Sequence, residues 1–155
     1  MCLLDASKAL LHIHSLRLLH CDLKDGNIGV SQGGRGQKSE FCFKLLDFGT
    51  CRELDGPEEE FEGGLGTLRF NAPELKRAKN KLIGPFTDSY ALGMTIYNMC
   101  AMDRPTVEKE SVYQNGVSAV DFCSNKRYSS ELRNWIWLLL QPDYKRRPTP
   151  ADTLE

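Results

Sequence analysis

The chain has 155 residues, of which 41% are hydrophobic and 26% are charged, and its formal net charge is -1. A chain of this length suits one compact domain, and its composition excludes a wholly disordered protein. Because positive and negative charges nearly cancel, the overall charge predicts neither nucleic-acid binding nor attraction to a membrane surface.

The sequence carries no membrane or secretion signal and no cysteine framework. No run approaches the roughly 20 apolar residues that a membrane helix needs, and the start lacks the basic region and cleavage site of a secretory signal. The spacing of the cysteines suits neither disulfide staples nor zinc, and they are Cys2, Cys21, Cys42, Cys51, Cys100 and Cys123. We therefore expect reduced thiols, a cytoplasmic or nuclear location, and no nucleic-acid or membrane partner.

The first predicted element is an amphipathic helix, followed by small strands. Apolar residues recur at three- and four-residue spacings, at Leu3, Ala6, Leu10, Ile13 and Leu16. Short apolar runs at 17–20, 27–30 and 41–46 predict three strands. The glycine-rich residues 31–39 predict a long hairpin loop between the last two.

The second half of the chain begins with an irregular region and then turns helical. Residues 47–74 have no periodicity and are rich in glycine and acidic residues, as expected of a functional or disordered loop. Residues 87–102, with Thr87 as the cap, predict a helix that is apolar on most faces and therefore buried. A cap at Ser130 begins another helix that ends at Pro142, and residues 148–155 look like the first turns of a further helix.

The segment HCDLKDGN, residues 20–27, concentrates the chemistry that phosphoryl transfer needs. A hydroxyl acceptor requires a carboxylate beside it, the transferring phosphate requires a cation, and magnesium requires oxygen ligands. Asp22, Lys24 and Asn27 supply these three groups. A second carboxylate, Asp47, follows an apolar strand. The glycine two residues later would let the backbone turn.

Five segments of the chain together resemble the catalytic lobe of eukaryotic protein kinases. They are HCDLKDGN, LLDFG, GTLRFNAPE, DSYALG and PDYKRRPT, in that order. They match the family's catalytic loop, its DFG motif, the end of its activation segment, the start of a central helix and a final RPT. The resemblance covers essentially the whole chain. It implies a mainly α fold with small β-hairpins, the C-terminal lobe of a two-lobed α+β kinase domain, with residues 1–155 as a partial kinase domain.

The resemblance also implies a role for each matching residue. Asp22 is the implied catalytic base, and Lys24 neutralises the transferring phosphate, as in Ser/Thr-specific kinases. Asn27 and Asp47 would hold the Mg²⁺ ions that bridge the ATP phosphates, and Thr67 would bind near Asp22 and Lys24. The implied cofactors are ATP and Mg²⁺, and the implied partner is a protein or peptide with a Ser/Thr acceptor.

A second set of matching residues is implied to support the site: His20, Phe48, Gly49, Glu74, Asp88 and Arg147. Glu74 and Arg147 are expected to form a buried ion pair, and Asp88 to anchor the catalytic-loop backbone. His20 and Phe48 are expected to stack in the core, which makes His20 a packing residue rather than a general base.

One departure from the family pattern concerns regulation. Cys21 stands where the family has the arginine that pairs with a phosphorylated activation loop, so the main counter-charge for such a phosphate is absent. The loop is already acidic at residues 58–60, and its hydroxyl-bearing side chains are Thr50 and Thr67. We expect a kinase that activation-loop phosphorylation does not switch.

The other departure is the N-terminal lobe, the part that brings the glycine-rich loop, strand lysine and helix glutamate of a kinase. Residues 1–19 are predicted to be one helix and cannot supply these parts. We therefore expect the N-terminal lobe to be missing from this sequence and to be a partner of this chain. Since positioning supplies much of kinase catalysis, the chain alone is expected to bind ATP weakly and transfer little phosphate.

Two alternatives to a lobe of a Ser/Thr protein kinase stay open. One is a natural half-kinase that docks substrates or regulators. The other is a small-molecule kinase with a similar H-x-D loop, which GTLRFNAPE, DSYALG and RRPT disfavour.

Overall fold

Helices and very short strands make up the part of the chain that the computed structural model describes, residues 2–32, 41–77, 81–101 and 127–154. The helices are α1 (Cys2–Ser15), α2 (Pro73–Arg77), α3 (Pro85–Cys100) and α4 (Ser130–Leu139). The strands are β1 (Leu18–Leu19), β2 (Ile28–Gln32), β3 (Phe41–Leu45), β4 (Arg52–Glu53), β5 (Glu59–Phe61) and β6 (Lys81–Ile83). The strands pair as three two-stranded antiparallel sheets, β1–β4, β2–β3 and β5–β6. This architecture confirms the predicted mainly α fold with small β-hairpins.

Helix α1 turns its predicted apolar stripe toward the core. The buried members of the stripe are Leu3, Ala6, Leu10 and Ile13. Leu16 was wrongly included, because the helix ends at Ser15 and Leu16 is 55% exposed. The chain turns away at Arg17, which has a φ of 59°, and the Arg17 N–H donates back to the His14 carbonyl at 2.9 Å.

Helix α3 is the centre of the fold, and its residues 87–97 are all buried. It begins earlier than predicted, since Gly84 is the cap and Pro85 the first helical residue, a position for which the fixed φ of proline is suited. Thr87 is therefore in the first turn, where its hydroxyl accepts the Gly84 N–H at 3.3 Å. The predicted last residue of this helix, Met102, lies outside the described residues.

Helix α4 packs across α3 at a glycine. A Cβ on Gly93 would lie 2.8 Å from the Cβ of Leu139, so the two helices approach more closely than a larger residue allows. Ser129, one residue before the predicted cap, caps α4, and its hydroxyl accepts the Leu132 N–H at 3.3 Å. After α4, the expected last helix is only a 3₁₀ turn at Asp152–Leu154 within the described chain.

The strands follow the prediction only in part. β2 and β3 form the predicted hairpin, with Ile28 opposite Leu45, although loop residues 33–39 lie outside the described residues. β1 pairs with β4 instead of a neighbouring strand. β4 and β5 fall inside the region predicted as irregular, because strands of two or three residues carry no periodic pattern.

Two further observations concern the membrane and the thiols. Among the described residues, none of the helices has both the length and the apolar character to span a bilayer. The cysteines of the described chain, Cys2, Cys21, Cys42, Cys51 and Cys100, are all free of disulfides. Cys123 lies outside the described residues.

Candidate active site

The loop between β1 and β2 is fixed by a buried carboxylate on helix α3. Asp88 is 1% exposed, and its Oδ2 and Oδ1 accept the backbone N–H groups of His20 and Cys21 at 2.8 and 3.0 Å. His14 of α1 donates from Nε2 to the same carboxylate at 2.9 Å. Asp88 thus joins α1, the loop and α3 at one buried point.

Asp22, Lys24 and Thr67 form one hydrogen-bonded cluster. Lys24 Nζ donates to Asp22 Oδ2 at 2.7 Å and to Thr67 Oγ1 at 3.0 Å. The Thr67 hydroxyl then donates to Asp22 Oδ1 at 2.7 Å. The side chain of Asp22 is 10% exposed and that of Lys24 is 30% exposed, so Lys24 is the more exposed of the two ionic groups. The structure therefore brings together a carboxylate, an ammonium group and a hydroxyl from segments far apart in sequence.

These contacts favour the ionised form of Asp22. Burial alone would raise the pKa of this carboxyl, but hydrogen bonds from Lys24 and Thr67 and the charge of Lys24 outweigh it and lower the pKa. Since the pKa in the fold lies below the ordinary value of 3.8, the stabilisation is present above that value and is lost as the pH falls through the lowered pKa. Asp22 is therefore a carboxylate at neutral pH.

Thr67 reaches Asp22 because a glycine before it touches the catalytic loop. Gly66 has a φ of +42°, and a Cβ there would lie 2.2 Å from the Cys21 carbonyl oxygen and 2.9 Å from Asp22 Oδ1. An L side chain fits neither the backbone conformation nor the space. Gly66 is consequently a positioning residue. It belongs to the GTLRFNAPE segment, but the sequence does not show its contact with Cys21 and Asp22.

Asn27 and Asp47 both lie at the end of the β2–β3 hairpin that begins with the Ile28–Leu45 pair. The Leu46 N–H donates to the Asn27 carbonyl at 2.9 Å, which brings the start of the LDFG turn against the catalytic loop. The Asn27 amide nitrogen donates to the Asp22 carbonyl at 2.9 Å and to Asp22 Oδ2 at 3.3 Å. Its amide oxygen is thereby left as the atom that could bind a cation.

The turn at Asp47 differs from the prediction that glycine would supply its flexibility. The positive φ, 60°, belongs to Asp47, and Gly49 is not in the left-handed region. Gly49 instead donates its N–H to Asp47 Oδ1 at 3.3 Å. Left-handed conformations of residues other than glycine cluster at functional sites, and Cys21, with a φ of 65°, is a second example beside Asp22.

His20 is a core residue, with both ring nitrogens occupied. It is fully buried, its Nε2 lies 3.0 Å from the Leu46 carbonyl, and its Nδ1 accepts the Asp22 N–H at 3.3 Å. Its ring centre lies 5.4 Å from that of Phe48 at an interplanar angle of 56°, so the rings are tilted rather than stacked. Phe48 itself is 51% exposed. The predicted contact is present, but only one of its partners is in the core.

Glu74 and Arg147 form a buried two-pronged ion pair. Arg147 Nη1 and Nη2 donate to Glu74 Oε1 and Oε2, each at 2.6 Å, and the Arg147 side chain is 0% exposed. Arg147 also donates to the carbonyl oxygens of Gln141, Phe86 and Pro142. The pair thus ties α2 to the start of α3 and the segment after α4.

Two contacts at this site were missed by the sequence reasoning. His14 binds Asp88, and Asn98 of α3 donates to Asp25 Oδ2 of the catalytic loop at 2.9 Å. Asn98 lies on α3 close to three turns after Asp88. Its position on the helix does not indicate that the loop containing Asp25 packs against it. Among the described residues, no group of three or more His, Cys, Asp or Glu side chains forms a metal site.

The family model described as "Protein kinase domain" matches residues 2–155. This chain belongs to the protein kinase domain family. The matched range contains Asp22, Lys24 and Thr67.

Curated relatives of this kinase chain are similar along most of its length. Serine/threonine-protein kinase Nek5 from Mus musculus is 34% identical over 155 residues, covering 96% of this chain and 23% of the relative. Death-associated protein kinase dapk-1 from Caenorhabditis elegans is 28% identical over 153 residues, covering 95% of this chain and 10% of the relative. Serine/threonine-protein kinase ppk6 from Schizosaccharomyces pombe is 33% identical over 105 residues, covering 67% of this chain and 12% of the relative. The kinase chain therefore spans less than a quarter of the length of these relatives.

Proposed function

We propose that the protein carrying this chain transfers phosphate from ATP to serine or threonine hydroxyls of proteins, and that this chain is the lobe with the catalytic loop. The cluster of Asp22, Lys24 and Thr67 carries the proposal, because it places a carboxylate and a cation within hydrogen-bond distance of each other. The family and the names of the relatives, which include serine/threonine kinases, support the same reaction.

Asp22 is the proposed base for the substrate hydroxyl. Its pKa is lowered, so it is ionised at neutral pH and can accept a hydrogen bond from the hydroxyl that attacks. In a loose phosphoryl-transfer transition state, orienting this hydroxyl matters more than a strongly basic carboxylate. Buried His20 does not compete for this role, since both of its nitrogens are already in hydrogen bonds.

Lys24 and Thr67 are proposed to complete the acceptor site. The Lys24 ammonium group is 30% exposed and can turn one of its three donors toward an incoming phosphate while it keeps Asp22 in place. Thr67 fixes the other oxygen of Asp22, so the carboxylate has one orientation. A fixed carboxylate reduces the entropy lost when substrate binds.

Asn27 and Asp47 are the proposed Mg²⁺ ligands, and the residues fit the ion. Amide and carboxylate oxygens are the donors that Mg²⁺ prefers, and the hydrogen bonds of Asn27 engage its nitrogen rather than its oxygen. When bound, Mg²⁺ would neutralise charge on the ATP phosphates. Asp47 is exposed at a turn held by its own bond to Gly49, which keeps the carboxylate available.

An N-terminal lobe outside this sequence is proposed to cover the ATP side of the site. The apolar residues Leu46 and Phe48, on either side of Asp47, are 46% and 51% exposed, and Val30 of β2 is 58% exposed. Leu46 also packs on Gly29, where a Cβ would lie 3.0 Å from its side chain. Exposed apolar side chains beside a polar site are expected where another part of a protein completes a cleft.

The same exposed side chains favour one alternative, a binding module that docks substrates or regulators without transferring phosphate. Leu46 and Phe48 would then contact another protein.

Whichever of the two functions holds, the free cysteines of the described chain support a reducing location, in the cytoplasm or nucleus.

A kinase assay on the full-length protein separates the two functions. We expect Asp22→Asn to lower kcat about 10²- to 10⁴-fold, the range for loss of a positioned acid–base group, with ATP affinity nearly unchanged. Asp55→Asn, at an exposed carboxylate elsewhere in the activation segment, is the matched control and should retain activity. If wild-type protein binds protein partners but transfers no phosphate, or if Asp22→Asn is as active as wild type, the proposed reaction is wrong.

A further inference from the structure

Phe61 is the centre of a group of contacts in the activation segment, residues 47–74. It belongs to β5 and is partly buried against the main core. The Arg52 guanidinium carbon lies 4.1 Å from the centre of its ring, a cation–π geometry. At the ring edge, a Cβ on Gly63 would lie 3.2 Å from Phe61 Cζ, so the chain folds back directly over the phenyl group.

Strand pairing fixes the other side of the same group. Phe61 is opposite Lys81 in the β5–β6 ladder, and Glu59 is opposite Ile83, which is fully buried. Lys81 also donates from Nζ to the Gly63 carbonyl. The middle of the activation segment is thereby attached to the strand that leads into helix α3.

Arg52 connects this group to the catalytic loop. It is opposite Leu19 in the β1–β4 pair, and His20 follows Leu19 directly. Its Nε is buried without a hydrogen-bond partner in the described part of the chain, and its guanidinium group lies over the Phe61 ring. A cation over an aromatic face is attracted by the ring, more strongly where it is partly removed from water, and this attraction opposes local opening.

The residues that would bind a phosphate on this segment, or carry one, are uncharged or already hydrogen-bonded. Burial, followed by the nearby Asp88 carboxylate, raises the pKa of the Cys21 thiol, which is therefore neutral at physiological pH. The Thr50 hydroxyl already donates to the His20 carbonyl at 3.2 Å. Thr67 is in the Asp22 cluster.

We propose that the Arg52–Phe61 contact and the β5–β6 ladder keep the activation segment ordered without a phosphate. The segment then presents Gly66 and Thr67 to the catalytic loop in the unmodified protein. That this order sustains kinase activity rests on the proposed function, whereas the order itself does not. The device consists of one cation, one aromatic ring and one short ladder.

Hydrogen–deuterium exchange on the phosphatase-treated full-length protein tests the proposal. Backbone amides of residues 59–61 should be protected in the wild type. Phe61→Leu keeps an apolar side chain but removes the ring, and Arg52→Met keeps an unbranched side chain but removes the cation. Each should speed exchange across residues 54–66 about tenfold. Arg17→Met is the matched control, because Arg17 directly precedes β1 and its ion pair with Glu53 of β4, at 3.4 Å, is exposed.

The outcomes distinguish this proposal from the proposed function. Fast exchange of residues 59–61 in the wild type, or unchanged exchange in both Phe61→Leu and Arg52→Met, would overturn the ordering device even if the protein is an active kinase. Slow exchange of residues 59–61 in the wild type, together with faster exchange in both variants, would support the proposal even if no phosphate transfer is found. Melting temperatures close to wild type would confirm that the variants are otherwise folded, and the double variant Arg52→Met/Phe61→Leu should add little to either single change.

Discussion

At the scale of single residues, the site depends on backbone geometry as much as on side-chain chemistry. Gly66 touches the carbonyl oxygen of Cys21, and this contact sets the distance from Thr67 to Asp22. Cys21 and Asp47 have left-handed φ values of 65° and 60° on either side of the site. The residues of the proposed site are therefore held by backbone conformations that residues other than glycine rarely adopt.

We predict that Gly66→Ala displaces the catalytic loop, because the new Cβ cannot coexist with an oxygen 2.2 Å away. A displacement of about 1 Å can cost 10²-fold in rate, and we expect a fall in kcat of that order. Gly64→Ala is the control, since none of the described residues lies within 4 Å of a Cβ there and its φ is ordinary. Steady-state kinetics of the full-length variants checks this, and equal rates for the two alanine variants would contradict it.

At the scale of elements, distant segments are joined by a few polar contacts. Glu74 is in the first turn of helix α2, and Arg147 lies after α4, yet their charged groups meet at 2.6 Å beneath the surface. A buried pair of this kind adds little over an apolar pair of similar volume, but loss of one partner leaves an uncompensated charge. The contact therefore specifies how α2 is placed more than it adds stability.

We predict that Glu74→Gln lowers the free energy of unfolding by about 3–5 kcal/mol, because it leaves the Arg147 charge buried without its partner. Glu53→Gln breaks the exposed Arg17–Glu53 pair and should cost about 0–1 kcal/mol. Urea unfolding of both variants measures the difference. Equal costs would show that the Glu74–Arg147 pair is solvated in solution, contrary to its burial in the structure.

At the scale of the whole molecule, one carboxylate connects the parts that carry the site. Asp88, on the central helix, accepts hydrogen bonds from His14 of α1 and from the backbone of His20 and Cys21. These partners are more than 60 residues away in sequence, at separations of 74, 68 and 67. Asp88 is thus a tertiary anchor for both the fold and the catalytic loop.

We predict that Asp88→Asn destabilises the protein by about 1.5–3 kcal/mol, because an amide nitrogen replaces an oxygen that accepts from a buried donor. Asp25→Asn, at an exposed carboxylate with one bond to Asn98, should change stability by less than about 0.5 kcal/mol. Unfolding in urea and exchange of the His20 and Cys21 amides would report the loss. If these amides exchange as slowly in Asp88→Asn as in the wild type, the anchoring role is wrong.

Some of the site could be predicted residue by residue. Asp22, Lys24 and Asn27 are close in sequence, so any conformation of the loop keeps them near one another. The proximity of Thr67 to them and the pairing of Glu74 with Arg147 came only from the resemblance, because no local pattern links such distant positions. His14 and Asn98 were missed, since a helix surface position does not indicate which loop packs on it.

The sequence alone is enough to predict the buried face of α1, the burial of α3 and the β2–β3 hairpin. In α1 the apolar side chains repeat with the period of a helix, so burial of one face follows. Helix α3 is apolar on most faces and is therefore buried all round, and the hairpin follows from two apolar runs joined by a glycine-rich loop. Tertiary structure alone decided the pairing of β1 with β4 and of β5 with β6, and the turn at Asp47 rather than Gly49. Strands this short are stable only when the core brings their partners to them, and a left-handed residue persists only when the surrounding contacts compensate for its strain.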